Sequence, residues 1–316
     1  MLLDQNIRKW LINFFGSNVR FDEPMSKHTY YKIGGPAEAF VTPGSFEQLT
    51  ELVSWSEEKN IPYIVIGDGS NLLVRDKGIQ GIVIVLTKCL DKVSRIKSEN
   101  ESVIITAMAG VRTQTLCRFA IEKGLSGMNF ALGIPGTVGG AIMMNAGTSL
   151  GSISDILESV NVLPSSGPVL KIEKDDIDFS YRNLSWKNEM IIPGNGDPII
   201  LEGFFRLGMS DTLQLKKEAD IILKKKNESQ PTKMPGAGCF FKNPPSGKTA
   251  GQLIDMAGLK GARVGGAEIS AKHANFIVNT GNASASEILS LMQLVQETVF
   301  HKFNINLLPE VKIVGI

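Results

Sequence analysis

Between Leu132 and Gly147 the chain places Gly133, Gly136, Gly139, Gly140 and Gly147 among small apolar residues, with Pro135 and no charged side chain. Glycine loses more backbone freedom on ordering than any other residue, so a run of this kind is costly to hold in one conformation. Packing alone is a poor reason for it, and something is expected to lie against the exposed backbone. A neutral glycine-lined wall suits a large flat ligand such as a flavin ring, with main-chain amides facing its carbonyls and phosphates.

At 316 residues the chain exceeds the usual size of one domain, so two or three compact units are expected. Hydrophobic residues make up 43% and charged residues 21%, and the formal net charge is +1. That balance describes an ordinary soluble protein and gives no compositional reason to bind nucleic acid. The N-terminal stretch from Met1 to Phe15 has Leu2, Leu3, Ile7, Trp10, Leu11, Phe14 and Phe15 at helical spacing, interrupted by Asp4, Arg8 and Lys9. It reads as an amphipathic helix packed on the body, neither a signal peptide nor a membrane span. Cys89, Cys117 and Cys239 form no CxxC pair and no metal spacing, so no metal is expected. Their odd number speaks against a disulfide framework and for a reducing, cytoplasmic setting.

Helices and strands mix throughout, which makes the class α+β. Helices are expected at Ser45 to Asn60, Thr113 to Lys123, Asp211 to Asn227, Ala250 to Ala257 and Ser284 to Phe303, with Ser45 and Ser284 as caps and Glu287 supporting the last start. Strands are expected at Ala39 to Thr42, Pro62 to Ile66, Leu72 to Arg75, Ile79 to Leu86, Val93 to Ile96, Ser102 to Ala107, Leu157 to Pro164, Val169 to Ile172, Ile199 to Leu207, Ala274 to Asn279 and Leu308 to Val314. The loop Gly67-Asp68-Gly69-Ser70-Asn71 lies between two of these strands. It is not a dinucleotide fingerprint, because Leu72 stands in an apolar strand where the third glycine should open a helix. A tight hairpin turn and a nest of amides for a phosphate both remain open readings. Gly247-Lys248-Thr249 resembles a Walker A ending, but Lys242 occupies the position of the required glycine.

The stretch Pro235-Gly236-Ala237-Gly238-Cys239-Phe240-Phe241-Lys242-Asn243-Pro244 has a different character. Glycines allow close backbone approach and prolines restrict motion, so one thiol is held beside two apolar rings, a cation and an amide. It can present a proton donor. Arg182, in Tyr181-Arg182-Asn183, could simply stack on Tyr181 or Trp186. Glu310 sits beside Pro309 at the entrance to the last expected strand.

In order and spacing these stretches, together with Ile33-Gly34-Gly35, Gly265-Gly266-Ala267-Glu268-Ile269-Ser270 and His273-Ala274-Asn275-Phe276, resemble one family over nearly the whole chain. It is the UDP-N-acetylenolpyruvoylglucosamine reductases of peptidoglycan synthesis, in the shorter form that lacks an extra substrate-domain loop. The resemblance implies an FAD-binding fold of the vanillyl-alcohol-oxidase type in two subdomains, 1–87 and 88–209. A substrate-binding domain at 210–304 and a C-terminal strand at 305–316 returning to the active site complete the division.

The same resemblance implies that Gly67, Asp68, Gly69, Ser70 and Asn71 hold the FAD pyrophosphate and that Gly133, Pro135, Gly136, Thr137, Gly139 and Gly140 lie along the flavin. Tyr181, Gln230, Lys242 and Asn243 would bind the UDP sugar. NADPH would reduce the flavin, which would pass hydride from N5 to the methylene carbon of the enolpyruvyl group. Arg182 and Glu310 would surround the substrate carboxylate, and position 239 would protonate the neighbouring carbon. The commonest residue there is serine; cysteine is the stronger acid, with a reference pKa near 8.5. The expected partners are the UDP sugar and NADPH, without nucleic acid or membrane, and the expected state is a monomer. A different flavoenzyme of the same fold would have no need for Arg182, Cys239 and Glu310 together, and neither would a nucleotide-binding module without activity.

Overall fold

The computed structural model describes residues 2–99, 102–187, 198–245 and 247–316. Met1, the first residue of the expected N-terminal helix, lies outside them. The chain divides into two compact units: residues 1–20, 39–67 and 81–224 form the first, and residues 21–38, 68–80 and 225–316 the second.

In the first unit, α1 (Gln5–Phe15) starts four residues later than its periodicity suggests, because the Asp4 carboxylate accepts from the Ile7 N–H and fixes the cap. Gly16, at φ +54°, ends it. Trp10 of α1 stacks on Trp55 of α2 (Phe46–Glu58), with ring centroids 3.8 Å apart. Ser45 caps α2 as its sequence implies, accepting from the Gln48 N–H at 3.2 Å. Tyr63–Ile66 pairs in parallel with residues 82–85, with Tyr63 opposite Ile82 and Ile66 opposite Val85.

The larger sheet runs 170–173, 157–163, 199–209, 102–108, 93–99, and Leu125–Ser126 also pairs with Ile199–Met209. Its central strand, Ile199–Met209, alternates buried and partly exposed positions from Leu201 to Gly208, as a half-covered antiparallel strand should. Helix α3 (Thr113–Glu122) packs on Leu125–Ser126, and α4 (Val138–Met143) on Ile199–Met209. The approach of α4 is close enough that a Cβ at Gly203 would stand 2.8 Å from the Ile142 side chain. The short α5 (Ile153–Ile156) follows, and α6 (Thr212–Ser229) is the charged helix expected there.

The second unit pairs Leu72–Val74 in parallel with Lys312–Val314 and builds a three-stranded sheet ordered 263–264, 267–269, 277–279. Helices α7 (Ala250–Met256) and α8 (Ala285–Phe303) pack on each other, and α8 also lies on the sheet. One apolar cluster joins Leu253 and Ile254 of α7, Ile288, Leu291, Val295 and Val299 of α8, the rings of Phe240 and Phe241, and Tyr31 and Leu73 from the chain's first third. At about 1.5–3 kcal/mol for each fully buried large side chain, this cluster is the unit's main source of stability. Ser284 and Glu287 form the expected capping box of α8.

Two expected strands are shorter than their patterns. Only Ile277–Asn279 pairs within 274–279, because the Asn275 carbonyl and side chain bond the 240–241 segment and the Phe276 N–H donates to the His273 carbonyl in a turn. The last strand divides at Pro309. Residues 308–310 bond the 240–242 segment, and only Lys312–Val314 joins Leu72–Val74.

Candidate active site

In the first unit, the glycines of the 132–147 run have separate causes. Gly133 and Gly136 adopt φ of +70° and +120°, where a side chain is strained. A Cβ at Gly139 would meet the Ala109 Cβ at 2.9 Å, and one at Gly147 would meet the Gly151 carbonyl at 2.7 Å. Packing and turn geometry therefore explain four of these positions, more than the sequence suggested. Gly140 is the exception: it is exposed, and a Cβ there would find only the Thr137 Oγ1, at 3.8 Å. The backbone there is open and uncharged, with room for a flat aromatic cofactor to lie against it. Gly67 sits close by, since a Cβ on it would come within 2.4 Å of the Thr137 Oγ1. Gly67 and Thr137 thus touch.

Gln114, which no motif singled out, organises the start of the run. Its Oε1 accepts from the Gly133 N–H at 3.1 Å, and its Nε2 donates to the carbonyls of Ala131 and Ile134 at 3.2 and 2.8 Å. It stands one residue into α3 and is legible in sequence only as a helical glutamine.

Arg182 occupies a hairpin that its sequence does not announce. Ile177–Ser180 and Asn183–Trp186 pair antiparallel, and Tyr181 and Arg182 are the two turn residues. Arg182 carries the left-handed conformation, φ +58°, that such turns normally give to glycine or asparagine. Its guanidinium lies 4.9 Å over the Tyr181 ring, as the stacking reading expected, and its Nη2 also donates to the Gly147 carbonyl at 2.8 Å. Asn145 ties the same corner together: its Nδ2 donates to the Ser180 carbonyl, and its Oδ1 accepts from the Ser154 N–H. Arg182 and the end of the glycine run therefore form one corner.

In the second unit, Gly238 at φ +78° turns the chain into Cys239, which is half-buried, and Phe240 and Phe241 anchor the next two positions in the core. The Glu310 N–H donates to the Phe240 carbonyl at 2.7 Å, and the Lys242 N–H donates to the Leu308 carbonyl at 2.8 Å. The Asn71 Nδ2 donates to the Glu310 carbonyl at 3.1 Å, and the Asn71 carbonyl accepts from the Lys312 N–H. The structure thus brings together three segments far apart in sequence: Asn71 of the glycine loop, Glu310, and the arm bearing Cys239. Gly69 of that loop, at φ +64°, is pressed on the His28 carbonyl, which a Cβ would approach to 2.1 Å. Asn243 uses its Oδ1 locally, accepting from the Ala250 N–H at the start of α7. Gln230 is half-buried at the end of α6, its N–H donating to the Lys226 carbonyl.

The other two cysteines behave as small apolar residues. Cys117 is buried with its thiol directed to the Met128 carbonyl, and burial pushes the Cys89 thiol up to about 11. His273, half-buried beside Phe276, has its pKa lowered by burial, with the nearby charge of Lys260 acting in the same direction. Its Nδ1 accepts from the Asn275 N–H at 3.2 Å.

Comparison with known proteins gives this arrangement its family. A domain model described as FAD binding domain matches residues 37–173, and one described as UDP-N-acetylenolpyruvoylglucosamine reductase, C-terminal domain, matches residues 230–314. The UDP-N-acetylenolpyruvoylglucosamine reductase of Desulfosudis oleivorans is 45% identical over 99% of this chain and 100% of its own length. The chain belongs to the UDP-N-acetylenolpyruvoylglucosamine reductases. The reductase of Clostridium novyi is 42% identical over 92% of this chain and 90% of its own. The crystal structure of the Thermus caldophilus reductase superposes with a TM-score of 0.75 at 34% identity, covering 92% of this chain and 97% of that one. The expected α+β class, an FAD-binding fold followed by a further domain, is accordingly the fold of this reductase. It is an FAD-dependent oxidoreductase of peptidoglycan precursor synthesis, forming UDP-N-acetylmuramate from the enolpyruvyl UDP sugar. No helix among its described residues is long and apolar enough to cross a membrane.

Proposed function

We propose that NADPH is the reductant and that Cys239 delivers the proton that completes the reaction, with Arg182 and Glu310 acting on the substrate carboxylate. FAD held by Gly67 to Asn71 and Gly133 to Gly140 would supply the two-electron chemistry between NADPH and the methylene carbon of the enolpyruvyl group. The chain's residues do the rest. Negative charge develops on the carbon beside the carboxylate and on the carboxylate itself, and a fixed guanidinium is the group that stabilises it where it forms. The hydrogen bond to Gly147 and the stacking on Tyr181 give Arg182 that fixity. The Cys239 S–H bond then breaks as the new C–H bond forms, and water restores the thiol. Glu310 either donates as a protonated acid or orients the arginine and the substrate.

The observation that carries this reading is the bond from the Glu310 N–H to the Phe240 carbonyl, 2.7 Å long and next to Cys239. It puts a carboxyl-bearing residue and the thiol-bearing residue on paired segments, although the sequence separates them widely. In this reading Gly67 to Asn71 and Gly133 to Gly140 hold FAD. Tyr181, Gln230, Lys242 and Asn243 bind the UDP sugar, and the enzyme works as a cytoplasmic monomer. The divisions 1–87 and 88–209 serve the cofactor, 210–304 serves the substrate, and 305–316 returns Glu310.

The test uses the flavin absorbance to separate the two half-reactions. Cys239→Ser should retain substantial turnover, because a hydroxyl can still donate. Cys239→Ala should be reduced by NADPH at the normal rate and then fail to pass the electrons to substrate. Wild-type turnover in the alanine variant removes Cys239 from the mechanism.

A further inference from the structure

Residues 308–310 bond one edge of the arm that carries Cys239, and one buried side chain holds the other. Asn275 is 3% exposed, and its amide makes both hydrogen bonds that a neighbouring strand would make to Phe241. The Phe241 N–H donates to Oδ1 at 2.9 Å, and Nδ2 donates to the Phe241 carbonyl at 2.8 Å. The amide's orientation follows from its partners, since an N–H needs the oxygen and a carbonyl needs the NH2. The Phe240 N–H donates to the Asn275 carbonyl at 2.7 Å, and the Asn275 N–H donates to the Nδ1 of His273. Three bonds from one residue thus fix the two positions that follow Cys239. On the other side of the thiol stands Gly238, in a left-handed turn with open space around its Cα.

We propose that Asn275 is a positioning residue that sets where the Cys239 thiol stands during proton transfer. The inference rests on Cys239 being the donor. Donation requires the acid within hydrogen-bond reach of the carbon it protonates, and misplacement by about 1 Å can cost roughly 100-fold in rate. The side chain substitutes for strand pairing at the point where 274–276 leaves the sheet, so that Phe241 is bonded on that edge although no regular strand lies there.

Asn275→Asp gives a readout that a merely structural role does not move. An ionised aspartate keeps the acceptor for the Phe241 N–H but sets a second oxygen against the Phe241 carbonyl. Once protonated, it again offers one acceptor and one donor, as the amide does. Burial raises a carboxyl pKa, which brings this switch toward neutral pH. The ionisable side chains on the bonded segments are Lys272 and His273 on the Asn275 loop, Cys239 and Lys242 on the arm, and Glu310 on the segment bonded to the arm's other edge. Helix α7, whose Gly251 lies against Asn275, carries Asp255 paired with Lys260 at 2.6 Å. Asn275→Ala retains all of them and controls for their titration.

The measurement is the rate at which the prereduced full-length holoenzyme reduces the enolpyruvyl UDP sugar, relative to wild type at each pH. Both variants should fall roughly 10- to 100-fold at pH 8, with NADPH-driven flavin reduction intact. The aspartate variant alone should recover toward wild type at pH 6. Equal deficits for aspartate and alanine at both pH values overturn the proposal, as does wild-type behaviour of both. Loss of the cooperative melt in both variants also overturns it and leaves Asn275 a clamp of the fold alone. Cys239→Ala, measured alongside, separates the two claims: if it matches wild type the donor reading fails, and if it is slow while the aspartate variant shows no recovery, only the positioning role fails.

Discussion

Gly139 and Gly140 are neighbours of the same type and do opposite things. A methyl group at Gly139 would be driven into Ala109, at 2.9 Å, whereas one at Gly140 would point into open space. Alanine is the better helix former by up to about 1 kcal/mol, and both positions lie in α4. Gly140→Ala should therefore leave the melting temperature of the FAD-free protein unchanged or slightly raised while weakening FAD binding at least tenfold, because the methyl group occupies that space. Gly139→Ala should lower the melting temperature of the FAD-free protein, since rigid neighbours resist overpacking by roughly 1–3 kcal/mol. Thermal melts of the apoprotein and a flavin titration distinguish the two. Normal FAD affinity in Gly140→Ala would mean that the flavin does not lie against this wall.

Asp76 shows at the level of elements how a helix can depend on a residue 209 positions away. Its carboxylate accepts from the Ala285 and Ser286 N–H groups at the start of α8, at 2.7 and 2.9 Å, and from the Ser286 hydroxyl. Burial alone would raise its pKa, but these donors, the Ser286 hydroxyl foremost, outweigh burial and lower it. The folded-state value then lies below the unfolded one, so the stabilisation is fully present above the unfolded pKa of about 3.9 and is lost as pH falls through the lower folded-state value. Asp76→Ala should cost about 1 kcal/mol at neutral pH, with a gap to wild type that narrows in acid below about pH 4. Thermal melts at several pH values check this, and a gap of constant size would rule out the charged cap. Nothing near Asp76 or Ser284 in sequence reveals this contact, whereas the local Ser284 and Glu287 box was legible because it spans four residues. The same contrast runs through the site. The Cys239 arm and the glycine run stand out by composition, and the family resemblance supplied roles for Arg182 and Glu310. The Tyr181-Arg182 turn lacks the Asn-Gly signal of its geometry, α4 is masked by its own glycines, and the Asn275 bonds are made by a side chain whose partners are 34 residues distant.

For the molecule as a whole, the interleaving of the units decides what can be separated. The family's C-terminal domain model covers residues 230–314, which suggests a self-contained piece. The second unit, however, also includes residues 21–38 and 68–80. From these come Tyr31, fully buried with its hydroxyl donating to the Ile277 carbonyl, Leu73 in the same apolar cluster, and the strand Leu72–Val74 that pairs with Lys312–Val314. They also supply the Tyr31 carbonyl that receives the Asn279 Nδ2, and the Asp76 cap of α8. Emptying one large core site costs roughly 2–5 kcal/mol, and a whole domain is stable by only about 5–15 kcal/mol. Losing Tyr31, Leu73, a strand pairing and a helix cap together exceeds what residues 225–316 can tolerate. That fragment, expressed alone, should retain some helical signal from α8 but show no cooperative thermal transition and rapid amide exchange throughout 263–279. A cooperative melt, with slow exchange at Ile277 and Val278, would show that the two inserted segments are dispensable to the fold that carries Cys239 and Glu310.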